Sequence, residues 1–310
     1  MSHSLYGKSI LDLTEMTKEE LLSVIKSAVA IKAHPDDYRQ TLAGKILALI
    51  FEKNSTRTRV SFEAGIIQLG GQAIVLDSKS TQMGRGEPIK DTAKVLSGYV
   101  DGIMIRTYSD HMVQELADQA EIPIINGLTD DHHPCQILAD FQTIYEVKGK
   151  LDGLKLAYIG DGNNMAHSFL IGGSLVGMDI AIATPKGYEP KPEIVAIAQK
   201  NAALSQSKIE ISHDPAKAVE QADILVTDVW ASMGDEGEQK EREAVFHDFQ
   251  VNQELAALAK EDYLFLHCLP AHRGEEVTAE IIDGTHSAIY QEAENRLHAQ
   301  KALMIALMKK

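Results

Sequence analysis

The chain has 310 residues, enough for about two domains and for a core that needs no disulfide or structural metal. Its 30 lysines and arginines stand against 45 aspartates and glutamates, and the net charge of −15 argues against nucleic acid or an anionic membrane as the main partner. Hydrophobic residues at 44% and charged residues at 24% exclude a disordered chain, while only two cysteines, Cys135 and Cys268, exclude a disulfide scaffold and point to a reducing, cytoplasmic setting.

Residues 1–8 have no apolar signal-peptide core, and no run approaches the roughly 18 apolar residues of a membrane span. In chain order, Thr17 and Glu20 then make a capping box, and Leu21, Leu22, Ile25 and Val29 follow at helical spacing. Short apolar, often β-branched runs at 46–51, 73–76, 102–105 and 122–125 predict buried parallel strands separated by helices. Residues 136–147 predict a helix crossing between domains, stopped by Gly149. Five more strands are expected at 154–159, 179–183, 208–211, 223–227 and 263–266. Residues 291–308 place Leu297, Met304 and Leu307 on one side of a helix expected to pack back on the first domain. This alternation predicts an α/β protein of two parallel-sheet domains with an active-site cleft between them. The expected first domain is 1–135, joined by helix 291–310. A linking helix, 136–150, leads to a second domain, 151–290.

Nearly every unusual polar cluster follows directly after an expected strand, where ligands bind in parallel α/β sheets. Ser55, Thr56, Arg57, Thr58 and Arg59 open a helix after the first strand. A helix N-terminus, three hydroxyls and a forked guanidinium suit a phosphate, and two cations there are unfavourable without an anion. The alternative is a serine N-cap followed by solvated arginines. Arg106 leaves a buried strand and needs an anionic partner as well. His132, His133 and Cys135, like His267, Cys268 and His272, lack the spacing of structural zinc motifs, so metal is not expected at either place. Gly160, Gly162 and the intervening residues imitate a dinucleotide fingerprint. Met165 stands where the third glycine belongs, however, and the next strand ends without a ribose-binding acid, which argues against a nicotinamide cofactor. Asp228 and Cys268 each sit just past an apolar strand, where the plain readings are a helix cap and a small buried hydrophobe. The acidic run after Ser232, Met233 and Gly234 reads as an exposed loop suited to closing over a substrate.

Taken together, Ser55–Arg59, His133 to Gln136, Asp228 with Ser232 to Gly234, and His267 to Pro270 resemble the ornithine carbamoyltransferases, over essentially the whole chain. The first motif is shared with the aspartate carbamoyltransferases; the others favour ornithine. The resemblance implies an N-terminal domain for carbamoyl phosphate, a second one for ornithine, no metal or organic cofactor, and homotrimers with shared active sites. It implies that Ser55, Thr56, Arg57 and Thr58 hold the phosphate, with Arg296 returning to it. Arg106, His133 and Gln136 would surround the carbamoyl group, and Gln82 would enter from a neighbouring subunit. Cys268 and Leu269 would line the reacting region beside carbamoyl phosphate. Asn164, Asp228, Ser232 and Met233 would bind the amino-acid end of ornithine. Arg106, His133 and Cys268 are the expected catalytic residues. Rival readings are a relative that takes putrescine, N-acetylornithine or aspartate, and a silent binding protein on the same fold.

Overall fold

The structure is a computed structural model and describes residues 5–77, 81–231, 237 and 239–310. Two compact units emerge, Met1–Gln142 together with Glu294–Lys310, and Thr143–Ala293. The first unit opens with α1 (Lys18–Ala33), where Glu20 N–H donates to Thr17 Oγ1 at 3.2 Å and Thr17 N–H to Glu20 Oε2 at 2.9 Å. That is the expected capping box. Then follow β1 (Ile46–Phe51), α2 (Thr56–Gln68), β2 (Gln72–Asp77), α3 (Ile89–Ser97), β3 (Gly102–Arg106), α4 (Asp110–Gln119), β4 (Ile124–Leu128) and α5 (Pro134–Lys148). The four strands form a parallel sheet in the order β2-β1-β3-β4. Ala48, Ile50, Ile103 and Ile105 pack with Ala93, Val113 and Leu116 of the covering helices into one apolar cluster.

One strand lies two residues later than its expected position. The 122–125 run is interrupted by Asn126 and Gly127, which read as a turn, yet β4 continues through both. Asn126 is tolerated because its Nδ2 donates to Leu11 O at 2.7 Å and its N–H to Ile10 O at 2.8 Å, so residues 10–11 supply what the sheet does not. Gly127 leaves room for the Met104 side chain, which a Cβ there would displace.

The second unit holds β5 (Lys155–Ile159), α6 (Asn164–Val176), β6 (Asp179–Ala183), α7 (Pro192–Ser205), β7 (Ile209–Ser212), α8 (Pro215–Val219), β8 (Ile224–Thr227), α9 (Gln239–Phe246), α10 (Gln253–Ala256), β9 (Leu264–Leu266) and α11 (Ala279–Ile282). Its parallel sheet runs β7-β6-β5-β8-β9, so β5 and β8 are central, and buried residues such as Ala157, Ile159, Leu225 and Phe265 form its core. At the end of α5, Gly149 takes a φ of 73° and its N–H donates to Tyr145 O at 2.9 Å. The last helix, α12 (Ile289–Met308), contributes its residues from Glu294 onward to the first unit. Among the described residues no helix is long and apolar enough to cross a membrane.

Candidate active site

In the first unit, the residues just past β1 and β3 converge on one hydroxyl. Ser55 caps α2, its Oγ accepting the Thr58 N–H at 3.1 Å. The first turn this fixes leaves Thr56 and Arg57 exposed and turns Thr58 inward, fully buried. Arg106 ends β3 and is buried; its Nη1 donates to Thr58 Oγ1 at 3.4 Å. Arg296, buried on α12, donates through Nη2 to the same oxygen at 3.2 Å and through Nη1 to Gln136 Oε1 at 2.6 Å. Gln136 Nε2 in turn donates to Asp140 Oδ1 at 2.8 Å, which fixes the orientation of the amide. With both guanidiniums donating to it, the Thr58 hydroxyl keeps its own proton to give.

His133, immediately before α5, lies within this group. Burial holds its imidazole well below the ordinary histidine range, and the charges of Arg296, Arg106 and Arg57 push the same way. It is therefore a neutral hydrogen-bonding ring at physiological pH. Two buried guanidiniums, a third exposed beside them, a hydroxyl and a neutral imidazole are a donor set suited to a multiply charged oxyanion. Arg59, the other cation expected at the start of α2, lies 3.6 Å from Glu63 and is balanced along its own helix. Gln82 is exposed and precedes a short 3₁₀ turn, Met83–Arg85; it is not among the side chains gathered around Thr58.

In the second unit the polar groups again follow the strands. Asn163, the residue before α6, accepts at Oδ1 from the N–H groups of Met165 at 3.0 Å and Ala166 at 3.4 Å and from the Tyr158 hydroxyl at 3.1 Å. Its Nδ2 donates to Asp228 Oδ2 at 3.2 Å. Asp228, just past β8 and buried, accepts at Oδ1 from Val229 N–H at 2.8 Å and from Cys268 Sγ at 3.1 Å. Tyr158 is fully buried, and burial, followed by the charges of Asp228 and Asp161, raises its phenol well above the usual value. Its hydroxyl stays protonated and so remains a donor.

Cys268 is half-buried beyond β9, in a turn organised by His267. His267 is buried, accepts the Leu269 N–H at Nδ1 (2.9 Å) and meets Glu276 Oε1 through Nε2 (3.1 Å). Both ring nitrogens are thus engaged in shaping the turn, a structural use rather than a metal-ligand one. Leu269 holds a φ of 57°, unusual for a bulky side chain and costing on the order of 1 kcal/mol, which that hydrogen bond helps to retain. Asn164 is half-buried in the first turn of α6, its carbonyl accepting from Ser168 Oγ at 2.6 Å. Ser232 and Met233 lie outside the described residues. Beyond them, Arg242 on α9 donates to Asp161 Oδ2 at 2.6 Å and to Trp230 O at 2.9 Å.

Of the residues singled out in the sequence, the structure brings Thr58, Arg106, His133, Gln136 and Arg296 together in one cluster, and joins Asp228 to Cys268 in another. The sequence reading misses Asn163, Tyr158 and the part played by His267. An asparagine just before an apolar helix is a preferred N-cap, a signal that Asn163 shares with Asn164 beside it.

Comparison with known proteins divides the chain near the same point, although it counts the last helix with the second half. Residues 8–146 match the family model described as aspartate/ornithine carbamoyltransferase, carbamoyl-P binding domain, and residues 152–307 match its Asp/Orn binding domain. The ornithine carbamoyltransferase of Listeria innocua is 63% identical over 303 residues, 97% of this chain and 96% of that protein. That of Bacillus subtilis is 57% identical over 307 residues, covering 99% and 96% of the two. Among solved structures, the ornithine carbamoyltransferase from Pyrococcus furiosus superposes with a TM-score of 0.95 at 51% identity, covering 98% of each chain. That from Gloeobacter violaceus gives 0.89 at 46% identity, covering 98% of this chain and 100% of its own.

Proposed function

The chain belongs to the aspartate/ornithine carbamoyltransferase family, and from that premise we propose how its residues divide the work of one reaction. The enzyme transfers the carbamoyl group of carbamoyl phosphate to the δ-amine of L-ornithine, giving L-citrulline and phosphate. The observation that carries the assignment of roles is the convergence of Arg106 and Arg296 on Thr58, beside neutral His133.

In our reading the first unit holds carbamoyl phosphate. The first turn of α2, with Ser55, Thr56, Arg57 and Thr58, receives the phosphate, and Arg296 serves the same side. Arg106, His133 and Gln136 face the carbamoyl group. As the amine attacks, the carbonyl oxygen gains charge, and Arg106, His133 and Thr58 are the donors for it; losing one such donor typically costs ~3 kcal/mol. A free amine with a pKa near 10.4 is about 0.1% neutral at pH 7.4, so the site must also favour loss of the δ-ammonium proton, and the departing phosphate is the base at hand. In the second unit Asp228 pairs with the α-ammonium, joined by Asn164, Ser232 and Met233 at the amino-acid end. Cys268 and Leu269 line the reacting region, where Cys268 orients the carboxylate that it donates to.

Putrescine lacks the α-ammonium that Asp228 would meet, and aspartate would call for cations that Asp228 and Cys268 do not supply. We also place the enzyme in the cytoplasm as a homotrimer needing no metal or organic cofactor. Self-association is supported by the exposed apolar side chains Val60 and Ile67 on α2 and Ile74 on β2, which is an edge strand. Gln82 follows that edge, a fitting origin for a residue given to a neighbour's phosphate site.

Citrulline formation from carbamoyl phosphate with L-ornithine, putrescine or N-acetylornithine, without added metal, tests the reading directly. Ornithine should have the highest kcat/KM; a preference for either rival amine would overturn it. Arg57→Ala should leave a folded protein that binds carbamoyl phosphate more weakly by at least ~2 kcal/mol in titration calorimetry.

A further inference from the structure

We infer that Asn163 is a positioning residue that sets selectivity for an amino-acid substrate, by fixing which oxygen of Asp228 is offered to the α-ammonium. The inference rests on the proposed pairing of Asp228 with that ammonium. The two ends of an asparagine amide differ chemically, and here the surroundings decide which end points where. Three donors converge on Oδ1, namely the N–H groups of Met165 and Ala166 and the Tyr158 hydroxyl. A flipped amide would set its NH₂ against the two backbone N–H groups, which can only donate. Nδ2 is thereby held toward Asp228 Oδ2, at 3.2 Å.

The carboxylate is in turn filled unevenly. Oδ1 accepts from Val229 N–H and Cys268 Sγ, which uses its two lone-pair directions. Oδ2 accepts from Asn163 and keeps one direction for a further donor. An ammonium arriving at Asp228 therefore meets Oδ2, along a direction set by the side chain that caps α6. Tyr158, through Asn163, is one step further back in the same chain of hydrogen bonds.

The test compares kcat/KM for L-ornithine with kcat/KM for putrescine, which has no α-ammonium, in four variants. Asn163→Ser keeps a capping oxygen and deletes the donor to Asp228. Asn163→Asp keeps the cap and sets a second carboxylate against the first. Tyr158→Phe removes one of the three donors and leaves two to hold the amide. Asp228→Asn serves as the reference. Asn163→Ser should lower the ornithine-to-putrescine ratio at least tenfold, mainly through the KM for ornithine, and Asn163→Asp should lower it further. The KM for carbamoyl phosphate should stay within twofold in both, because the groups proposed to hold its phosphate lie in the other unit. Tyr158→Phe should move the ratio less than threefold. If Asp228→Asn lowers the ratio but neither Asn163 variant does, Asn163 is only a helix cap and the inference fails while the proposed role of Asp228 stands. If Asp228→Asn leaves the ratio unchanged, that role fails and the inference with it. A parallel loss of carbamoyl phosphate binding in the Asn163 variants would also overturn the inference, as general damage to the fold.

Discussion

Thr58 carries more than its size suggests, because one hydroxyl oxygen receives two buried arginines that would otherwise repel each other across a dry interior. The cost of gathering these cations falls partly on His133, whose imidazole they help to keep neutral. This has a consequence for stability. The unfolded chain binds a proton at this histidine below about pH 6.5, whereas the folded site does not until a much lower pH. The unfolded state therefore binds more protons in that window. Stability is full above pH 6.5 and falls as the pH drops toward the depressed folded value. Replacing the titrating ring with an amide, as in His133→Gln, removes the term. Urea denaturation at pH 8, 6.5 and 5 should show the wild type losing more stability than His133→Gln between the last two points. Equal losses would mean that the site does not depress this histidine.

At the scale of elements, each of the two polar clusters depends on the first turn of a helix that follows a strand, and the fit of that turn is testable. In the loop from β5 to α6, a Cβ on Gly162 would stand 2.4 Å from Pro190 N and 2.5 Å from Tyr188 O, both backbone atoms that cannot turn aside. The Gly162 N–H also donates to Tyr188 O at 2.8 Å. Gly162→Ala should displace the loop, and with it Asn163 and its hydrogen bond to Asp228. A loss of about 1–3 kcal/mol in stability and a raised KM for ornithine are expected, with carbamoyl phosphate binding unchanged. Gly149→Ala, whose Cβ would meet nothing within 4 Å, should leave both substrates unaffected. The strands were legible because β1, β3, β5 and β8 are nearly unbroken apolar runs, and the polar clusters because they sit where those runs stop. Ser55 was legible as a cap. Choosing between Asn163 and Asn164 was not possible from composition, since only the direction of the helix entry decides which of the two turns back on the N–H groups. The end of β4 was hidden for a related reason: Asn126 looks like a stop until the partner from residues 10–11 is in place. Arg296 has no local signal at all, its partner Thr58 lying 238 residues away.

For the whole molecule, the proposed trimer makes a prediction that no single chain can satisfy. If Gln82 serves the site that contains a neighbour's Arg57, inactive Arg57→Ala and inactive Gln82→Ala chains should complement each other after dissociation and remixing. Every mixed cyclic trimer then holds one intact site; equal random mixing makes about three-quarters of trimers mixed, and roughly one-quarter of all sites should recover. Verified mixed trimers with no activity would assign Gln82 to its own chain or to no site. The division of the chain bears on something else, the order in which a nascent polypeptide matures. Residues 143–293 form the second unit without interruption, whereas the first waits for residues 294–310. At the usual pace of translation, about 5–20 residues per second, the ribosome spends roughly 8 to 30 s making the second unit before it reaches Arg296. During that interval the half destined for the more reactive, anionic substrate stays without one of its buried guanidiniums, so competence for that ligand arrives late in the life of the nascent chain.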